Sequence, residues 1–164
     1  MLVLYIYFND FQIFNMEHWI SWSIVVASVI HIFEEYYGGW IKWVQKYAKG
    51  VTFPHFVIVN FIFISLCIAA SICDSLLFKL SIASLIFVNS VIHIVPTFIL
   101  RHYSPGIWSA IFLYLPLSLL SFYSAWIHNN LTFQNIFMAL LIGILIMTLP
   151  ISDQFLRIYV TKQE

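Results

Sequence analysis

The sequence predicts an all-α membrane protein, a polytopic bundle of about five spanning helices with its amino end outside. Of the 164 residues, 62% are hydrophobic and only 9% are charged, whereas soluble domains carry about 25% charged residues. The apolar runs are each near the ~20 residues that cross a hydrocarbon core ~30 Å thick. The formal net charge is zero, which gives no reason to expect a nucleic-acid partner. We expect membrane lipids as partners and keep a homo-oligomer open.

Five apolar runs define the predicted helices. They cover about 18–37, 54–73, 80–100, 105–126 and 133–151. Tryptophans flank the first run on both sides, as in the aromatic belts of membrane interfaces, at Trp19, Trp22, Trp40 and Trp43. A Gly-Gly pair follows the first run and suits a left-handed helix end.

Proline and serine residues predict where the later helices begin and bend. Pro54 opens the second helix, and Ser104 is a suitable N-cap with Pro105 at the first position of the fourth. Pro96 and Pro116 lie inside the third and fourth runs. Each removes a backbone hydrogen bond, so we expect a bend at both places.

The chain divides into three predicted parts. Residues 1–16 form an apolar segment that is too short to span by itself, and Met16 is an alternative start. Residues 17–152 form the transmembrane domain, and residues 153–164 form a cytoplasmic tail. Residues 1–16 have no basic region and no small-residue cleavage site, so we expect no cleaved signal peptide.

The distribution of lysine and arginine predicts the orientation. With the amino end outside, six basic residues fall on the inner side: Lys42, Lys46, Lys49, Arg101, Arg157 and Lys162. Lys79 alone falls on the outer side. This asymmetry follows the positive-inside rule. We therefore expect an integral membrane protein with a cytoplasmic carboxyl end, in a bacterial plasma membrane.

The first helix carries an unusual group of ionisable residues near its inner end. His31 precedes Glu34 and Glu35 by three and four positions, so the histidine shares a helix face with both carboxylates. Ionisable groups beside hydrocarbon are costly and usually face a protein interior or a water-filled cavity. This pattern predicts a buried polar site.

Other helices bring polar residues to the same leaflet. In the predicted topology, Asn60 lies about 9 Å and His93 about 10 Å from the inner face, at 1.5 Å per residue. Asn89 is one turn deeper than His93 on the same side, and Arg101 and Tyr103 follow at the membrane surface. We expect these groups to converge on the first helix.

The residue types suggest distinct roles within this site. Imidazole and carboxylate groups suit zinc, iron or manganese, and His31, Glu35 and His93 would supply three ligands with one open position. Glu34 would remain as a general base, with Glu35 and Arg101 completing the catalytic set. Without a metal, a glutamate with a raised pKa paired with a histidine could still move protons.

Three further residues are candidates for supporting or substrate contacts. They are Asn60, Asn89 and Tyr103. An asparagine inside a membrane helix more often makes an interhelix hydrogen bond. A purely structural role therefore remains open for Asn60 and Asn89.

The order of these motifs resembles the HXXEE-domain family of small multi-pass membrane proteins. The resemblance rests on His31-x-x-Glu34-Glu35, on Asn89-x-x-x-His93, and on Arg101-x-Tyr-Ser-Pro-Gly ending at 106. It covers about residues 18–150. The resemblance implies the architecture and the site but no reaction.

A looser similarity exists to membrane-embedded CAAX-type proteases. Those proteins also combine a Glu-Glu pair with histidines on other helices. Their pair is followed by an arginine, where this chain has Gly39, and they have more helices. We use this similarity only as an analogy for the chemistry.

Three functions are compatible with these patterns. The favoured one is a metal-dependent enzyme, a hydrolase or transferase, acting on a lipid or other hydrophobic substrate at the cytoplasmic leaflet. The second is a structural or partner-binding membrane protein whose polar cluster fixes helix packing. The third is a small proton-coupled carrier, since intramembrane carboxylates and kinked helices suit transport.

Overall fold

The computed structural model describes residues 2–46 and 50–161, of which the side chains of 2–17, 100, 151 and 153–161 are left undescribed. The α-helices are α1 Leu2–Tyr37, α2 Trp40–Val44, α3 Phe53–Ile72, α4 Leu76–Leu100, α5 Ile107–Ser109, α6 Leu115–Ile127 and α7 Phe133–Thr161. A π-helical segment, Ala110–Tyr114, joins α5 to α6. The described residues include no strand. The predicted all-α fold is therefore confirmed.

Four segments are long and apolar enough to cross a membrane. They are Phe53–Ile72, Leu76–Ile99, Ile107–Ile127 and Phe133–Pro150. The multi-pass character is thus confirmed for four of the predicted helices. The predicted span at 18–37 is not among them, and it carries the charged pair Glu34 and Glu35. This segment packs against α3 and α6 within the bundle. That residues 18–37 cross the membrane, and that the amino end lies outside, stay predictions.

The outer helices are longer than predicted. Helix α1 runs unbroken from Leu2, so the predicted first segment and the predicted first helix form one continuous helix. Helix α7 continues through Pro150 to Thr161, beyond the predicted end near residue 151. The functional division into a transmembrane domain and a tail stays a prediction.

Helix α4 is the centre of the bundle. It packs against α3, α6, α7, α5 and the π-helical segment. One stretch of α4 is almost completely buried, at Leu80, Ile82, Ala83, Leu85 and Ile86. Ser75 caps its start by accepting a hydrogen bond from the Phe78 amide at 3.3 Å. Because lipid tails are as apolar as these side chains, close van der Waals packing holds such helices together.

The two prolines predicted to bend helices have different surroundings. Helix α4 continues across Pro96. Pro116 lies in the first turn of α6, directly after the π-helical segment. In that segment the Leu115 amide donates to the Ala110 carbonyl, five residues back. Pro116 therefore stands where the backbone changes from π to α geometry, and such segments occur often at functional sites.

Small residues allow α7 to approach α4 closely. A Cβ atom added to Gly143 would lie 2.7 Å from Ser84 Cβ and 2.8 Å from the Leu85 amide nitrogen. Ala139, one turn earlier on α7, is fully buried. This spacing of two small residues four apart is typical of tightly packed membrane helices.

The Gly143→Ala variant tests this contact. The added methyl meets backbone that cannot move aside, so we expect a loss of stability of about 1–3 kcal/mol, seen as a lower melting temperature of the detergent-solubilised protein. Leu145→Ala is the control, because Leu145 is 55% exposed on the same helix and should change the melting temperature little. Equal melting temperatures for Gly143→Ala and the wild type would contradict the close approach.

Candidate metal centre

Three ionisable side chains from two helices meet in the interior. His31 and Glu35 come from α1, and His93 comes from α4. Glu35 Oε1 lies 3.6 Å from His31 Nε2 and 3.4 Å from His93 Nε2. The possible ligand atoms of the three residues all lie within 4.8 Å of one another. Only 2%, 6% and 3% of His31, Glu35 and His93 are exposed, so the cluster is a closed polar centre.

Helix geometry explains why these three side chains face one another. His31 and Glu35 are four residues apart and project from the same face of α1. The two imidazole rings meet edge to face, with centroids 5.0 Å apart and planes at 82°. The predicted convergence of the first and third spanning segments is therefore found in the structure.

Gly106 covers one side of this cluster. A Cβ atom at this position would lie 2.8 Å from His31 Cε1, 2.9 Å from His93 Cε1 and 3.1 Å from Glu35 Cγ. The backbone also has a φ of +99°, which side chains disfavour. Residues 103–109, which lead from the end of α4 through α5 to the π-helical segment, are called the 103–109 connection. Only glycine at position 106 therefore allows this connection to lie directly against both imidazoles.

Two serines from the same connection hold the imidazoles. His31 Nδ1 is 2.8 Å from Ser109 Oγ, and His93 Nδ1 is 3.0 Å from Ser104 Oγ. Both Nδ1 atoms thus bond outward, and both Nε2 atoms are directed at Glu35. Outer hydrogen bonds of this kind fix ring orientation and tautomer in metal-binding histidines.

The hydrogen bonds of Ser109 determine where the His31 proton is. Ser109 Oγ lies 2.5 Å from Glu34 Oε2 and 3.2 Å from the Gly106 carbonyl oxygen. An ionised carboxylate and a carbonyl can only accept, and a hydroxyl has a single proton to donate. Ser109 must therefore accept from His31, which places the proton on Nδ1. His31 Nε2 is left with a lone pair inside the protein.

Glu34 has surroundings quite different from those of Glu35. Its carboxylate accepts hydrogen bonds from the Tyr103 hydroxyl at 3.3 Å, the Trp108 amide at 3.0 Å, and the Ser109 amide at 2.7 Å. The Ser109 hydroxyl is the fourth donor. The two amides belong to the short helix α5. Glu34 thus fastens the 103–109 connection to α1.

Tyr103 donates to Glu34 from the connection between α4 and α5. Partial burial, followed by the negative charge of Glu34 and the hydrogen bond to it, raises the pKa of the Tyr103 hydroxyl above its ordinary value. The hydroxyl therefore keeps its proton at neutral pH and stays a donor. The predicted supporting role of Tyr103 is consistent with this contact, although Tyr103 contacts Glu34 and not the three clustered residues.

Tyr114 packs over the far side of His31. The two ring centroids are 4.5 Å apart with an angle of 32°. Tyr114 is fully buried. Its ring therefore covers one face of the His31 imidazole.

The remaining predicted site residues lie in other surroundings. Asn60 donates to the Phe56 carbonyl of its own helix at 3.0 Å, which is a structural contact. Asn89 has a buried Oδ1 with no partner among the described residues. Arg101 is exposed at the end of α4, with a left-handed φ of 53°. None of the contacts recorded for the described residues joins these three side chains to the cluster.

Sequence reasoning missed the serines and the glycine that support the cluster. The prediction that Ser104 caps the fourth helix was wrong, because Gly106 is the N-cap of α5 and Ser104 instead bonds His93. Ser109 and Gly106 were not predicted as site residues. The one available signal in the sequence was the Tyr-Ser-Pro-Gly turn at 103–106. This turn brings a serine and a glycine to the two clustered histidines.

Fold and site together define a multi-pass helical membrane protein with a buried His/Glu/His cluster. The sequence profile of the family described as "Protein of unknown function with HXXEE motif" matches residues 22–123, more than half of the chain. The protein belongs to this family, as the resemblance in its motifs predicted. The matched region includes every residue of the cluster and of its serine supports. No curated protein and no solved structure matches the chain significantly.

Replacing Gly106 by alanine tests the close contact at the cluster. Gly39 provides a matched control, since it also has a positive φ of +79° but no atom within 4 Å of an added Cβ. Backbone strain of about 1–3 kcal/mol should affect both variants. Gly106→Ala should lower the melting temperature further, because its methyl also displaces two imidazoles. Equal melting temperatures for the two variants would show that the 103–109 connection does not rest on the histidines.

Proposed function

We propose that His31, Glu35 and His93 bind one divalent metal ion, and that the protein is a metal-dependent membrane enzyme. The substrate class is a lipid or another hydrophobic molecule. The reaction would be a hydrolysis or a group transfer at the cytoplasmic leaflet.

The unpartnered His31 Nε2 is the observation that carries this proposal. It is buried without a hydrogen bond among the described residues, and Glu35 Oε1 stands 3.6 Å away. With the proton on Nδ1, a nitrogen lone pair faces a carboxylate oxygen, which is unfavourable because both are electron-rich. Buried polar atoms are rarely left without a partner. A cation bound between the two atoms removes the conflict.

The distances between the possible ligand atoms support the proposal. Bonds of about 2.0–2.1 Å at a tetrahedral angle separate neighbouring ligand atoms by about 3.3 Å. The contacts from Glu35 Oε1 to the two imidazole nitrogens are 3.6 and 3.4 Å. Two edges of a tetrahedral set are thus nearly formed, and the two imidazole ligand atoms lie within 4.8 Å of each other.

Zinc, iron and manganese all suit two imidazoles and a carboxylate. Three protein ligands leave a position open for a substrate oxygen, and a bound metal would polarise that oxygen as a Lewis acid. Among the protein residues, Ser104 and Ser109 would keep the imidazoles oriented. Gly106 and Tyr114 would limit access from two sides.

Glu34 takes a different role in this proposal from the one first expected. Four hydrogen bonds already stabilise its charged form, and a carboxylate so well bonded is a weak base. We therefore assign Glu34 the positioning of Ser109, and through it of His31. Arg101, exposed where α4 ends, would contact a lipid or substrate head group.

The second candidate function is a structural one, in which the cluster of His31, Glu35 and His93 stabilises the helix bundle. The three clustered side chains are nearly inaccessible, and closed sites are typical of structural metals. They also connect α1, α4 and the 103–109 connection. In this alternative the same cluster fixes helix packing and supports no reaction.

Neighbouring glutamates allow a matched test of metal binding. Glu35→Gln should abolish the metal found in detergent-purified protein by elemental analysis, because it removes a ligand. Glu34→Gln should retain the metal while lowering the melting temperature, since it weakens the attachment of the 103–109 connection. Metal-free wild-type protein after purification without chelators, or equal metal in Glu35→Gln, would refute the metal centre. The structural alternative would be favoured by a different result. In that case Glu35→Gln loses its metal and melts at a lower temperature, while the metal-bound wild type turns over no lipid substrate.

Ser109→Ala tests the support of His31. Removing an outer hydrogen bond from a metal-binding histidine usually lowers metal affinity by about 10–100-fold, and we expect a loss in this range by competition with a chelator. Ser118→Ala is the control, because Ser118 is equally buried on α6 but takes no part in the cluster. Unchanged affinity in Ser109→Ala would exclude a supporting role for this hydroxyl.

A further inference from the structure

The burial of the His31, Glu35 and His93 cluster limits access to the proposed metal centre. All three side chains are nearly inaccessible, so an ion reaches them only when part of the protein moves. In the described part of the chain, the elements against the cluster are α1, α4, the Tyr114 ring and the 103–109 connection. One of these elements must therefore move when the site is filled or emptied.

The 103–109 connection is the element that can move at the lowest cost in free energy. Helices α1 and α4 pack against several other helices, and Tyr114 belongs to the main apolar core. The connection has one exposed side, with Tyr103 47% and Trp108 58% exposed, and Ile107 is its one buried aliphatic side chain. Segments that bury little apolar surface open locally while the rest of a protein stays folded.

We propose that the 103–109 connection is a lid that opens to load and unload the metal centre, and that Glu34 is the residue that holds it closed. This inference rests on the proposed function and adds the control of that same site. It also gives the direction of entry. The ion passes at the end of the bundle where α1 and α4 end and α3 begins, and not sideways between the helices.

Glu34 bonds the lid at both of its ends. Its carboxylate accepts from the Tyr103 hydroxyl, the Trp108 amide, and the amide and hydroxyl of Ser109. Hydrogen bonds to a charged acceptor are about twice as strong as neutral ones, so these contacts favour the closed form. Glu34 is also half-buried, so water can replace the lid donors around the carboxylate when the lid opens. The open form therefore leaves no buried charge without a partner.

The inner side of the lid both covers and orients the proposed ligands. Gly106 lies against the two imidazoles, while Ser104 and Ser109 bond the Nδ1 atoms of His93 and His31. Opening would remove the cover and these outer hydrogen bonds together. Because such bonds strengthen metal binding by histidine, an ion would be held firmly only after the lid has closed.

Both ends of the lid depart from regular α-helical geometry. Arg101, two positions before the lid, has a left-handed φ of 53°, which residues other than glycine seldom adopt. The π-helical segment begins at Ala110, directly after Ser109. Hinges are usually a few positions in loops or at the ends of helices that absorb changes in φ and ψ. These two places are therefore the natural hinges of the lid.

Metal exchange rates test the lid with the full-length protein in detergent micelles. The probe is Zn²⁺ alone, whose uptake by metal-free protein and release to a chelator are followed with a zinc-sensitive dye. Glu34→Gln should raise both rate constants about tenfold, the effect of ~1.4 kcal/mol on lid opening, because it removes the charge that holds the lid. The Kd should stay the same, since the lid is closed both before and after binding. Faster release alone, with a weaker Kd, would mean that Glu34 only orients a ligand and would overturn the proposal.

A second variant and a matched control keep this test independent of how well Glu34→Gln folds. Tyr103→Phe removes one of the four donors and should raise both rate constants about threefold, as expected for one modest hydrogen bond. Thr97→Val is the control, because the Thr97 hydroxyl donates to the His93 carbonyl at 2.7 Å within α4 and takes no part in the recorded contacts of the lid. Equal rate constants in these two variants would contradict the role of the lid.

Backbone hydrogen exchange, measured on metal-free protein, separates this inference from the proposed function. The amides of Ile107 and Ala110 bond carbonyls within the 103–109 connection. Their exchange should be about tenfold faster in Glu34→Gln, as for the metal rates, whereas exchange at 80–86 in the buried part of α4 should not change. Faster exchange in a protein that binds no Zn²⁺ would reject the metal centre and retain the lid as a movable cover. Bound Zn²⁺ with unchanged exchange in Glu34→Gln would retain the metal centre and reject the lid.

Discussion

The site depends on a single hydroxyl group, that of Ser109. Its oxygen lies between Glu34, which holds the 103–109 connection against α1, and His31, which faces the interior. The hydroxyl has one proton, which it donates in a hydrogen bond to Glu34. The His31 imidazole must therefore donate to the Ser109 oxygen from Nδ1. One hydrogen bond thus couples the attachment of a loop to the tautomer of a buried histidine. The direction of His31 Nε2 towards Glu35 follows from that coupling.

The adjacent glutamates show how the same side chain can be stabilised in two ways beside hydrocarbon. Glu34 keeps its charge through hydrogen bonds from a tyrosine, a serine and two amides. Glu35, by contrast, lies against the two imidazoles in the described part of the chain. A buried charge requires a partner of opposite sign or loses its charge. The chain thus places a carboxylate with four hydrogen-bond donors next to one that faces two imidazoles, and the proposed metal centre rests on this difference.

Helical periodicity was sufficient to predict that His31, Glu35 and His93 lie together. Four-residue spacing places the first two on one face, and rise per residue sets the depth of the third. The supports could not be predicted in the same way. Ser104, Gly106 and Ser109 lie in a connection and a short helix whose path depends on contacts with α1, 70 or more positions away. Asn60 has a predicted depth similar to that of His93, but its side chain donates to its own helix, in line with the structural role that the sequence left open.

The π-helical segment covers one face of the polar cluster. Its wider turn ends at Tyr114, which is buried and packs on His31, whereas Phe112, two positions earlier, is exposed. The extra residue in each turn of this segment rotates the side chains that follow relative to those that precede it. Pro116 reinforces the change, because it lacks the amide that would continue an α-helical ladder there. The segment therefore covers a polar centre on its inner side and presents apolar side chains on its outer side.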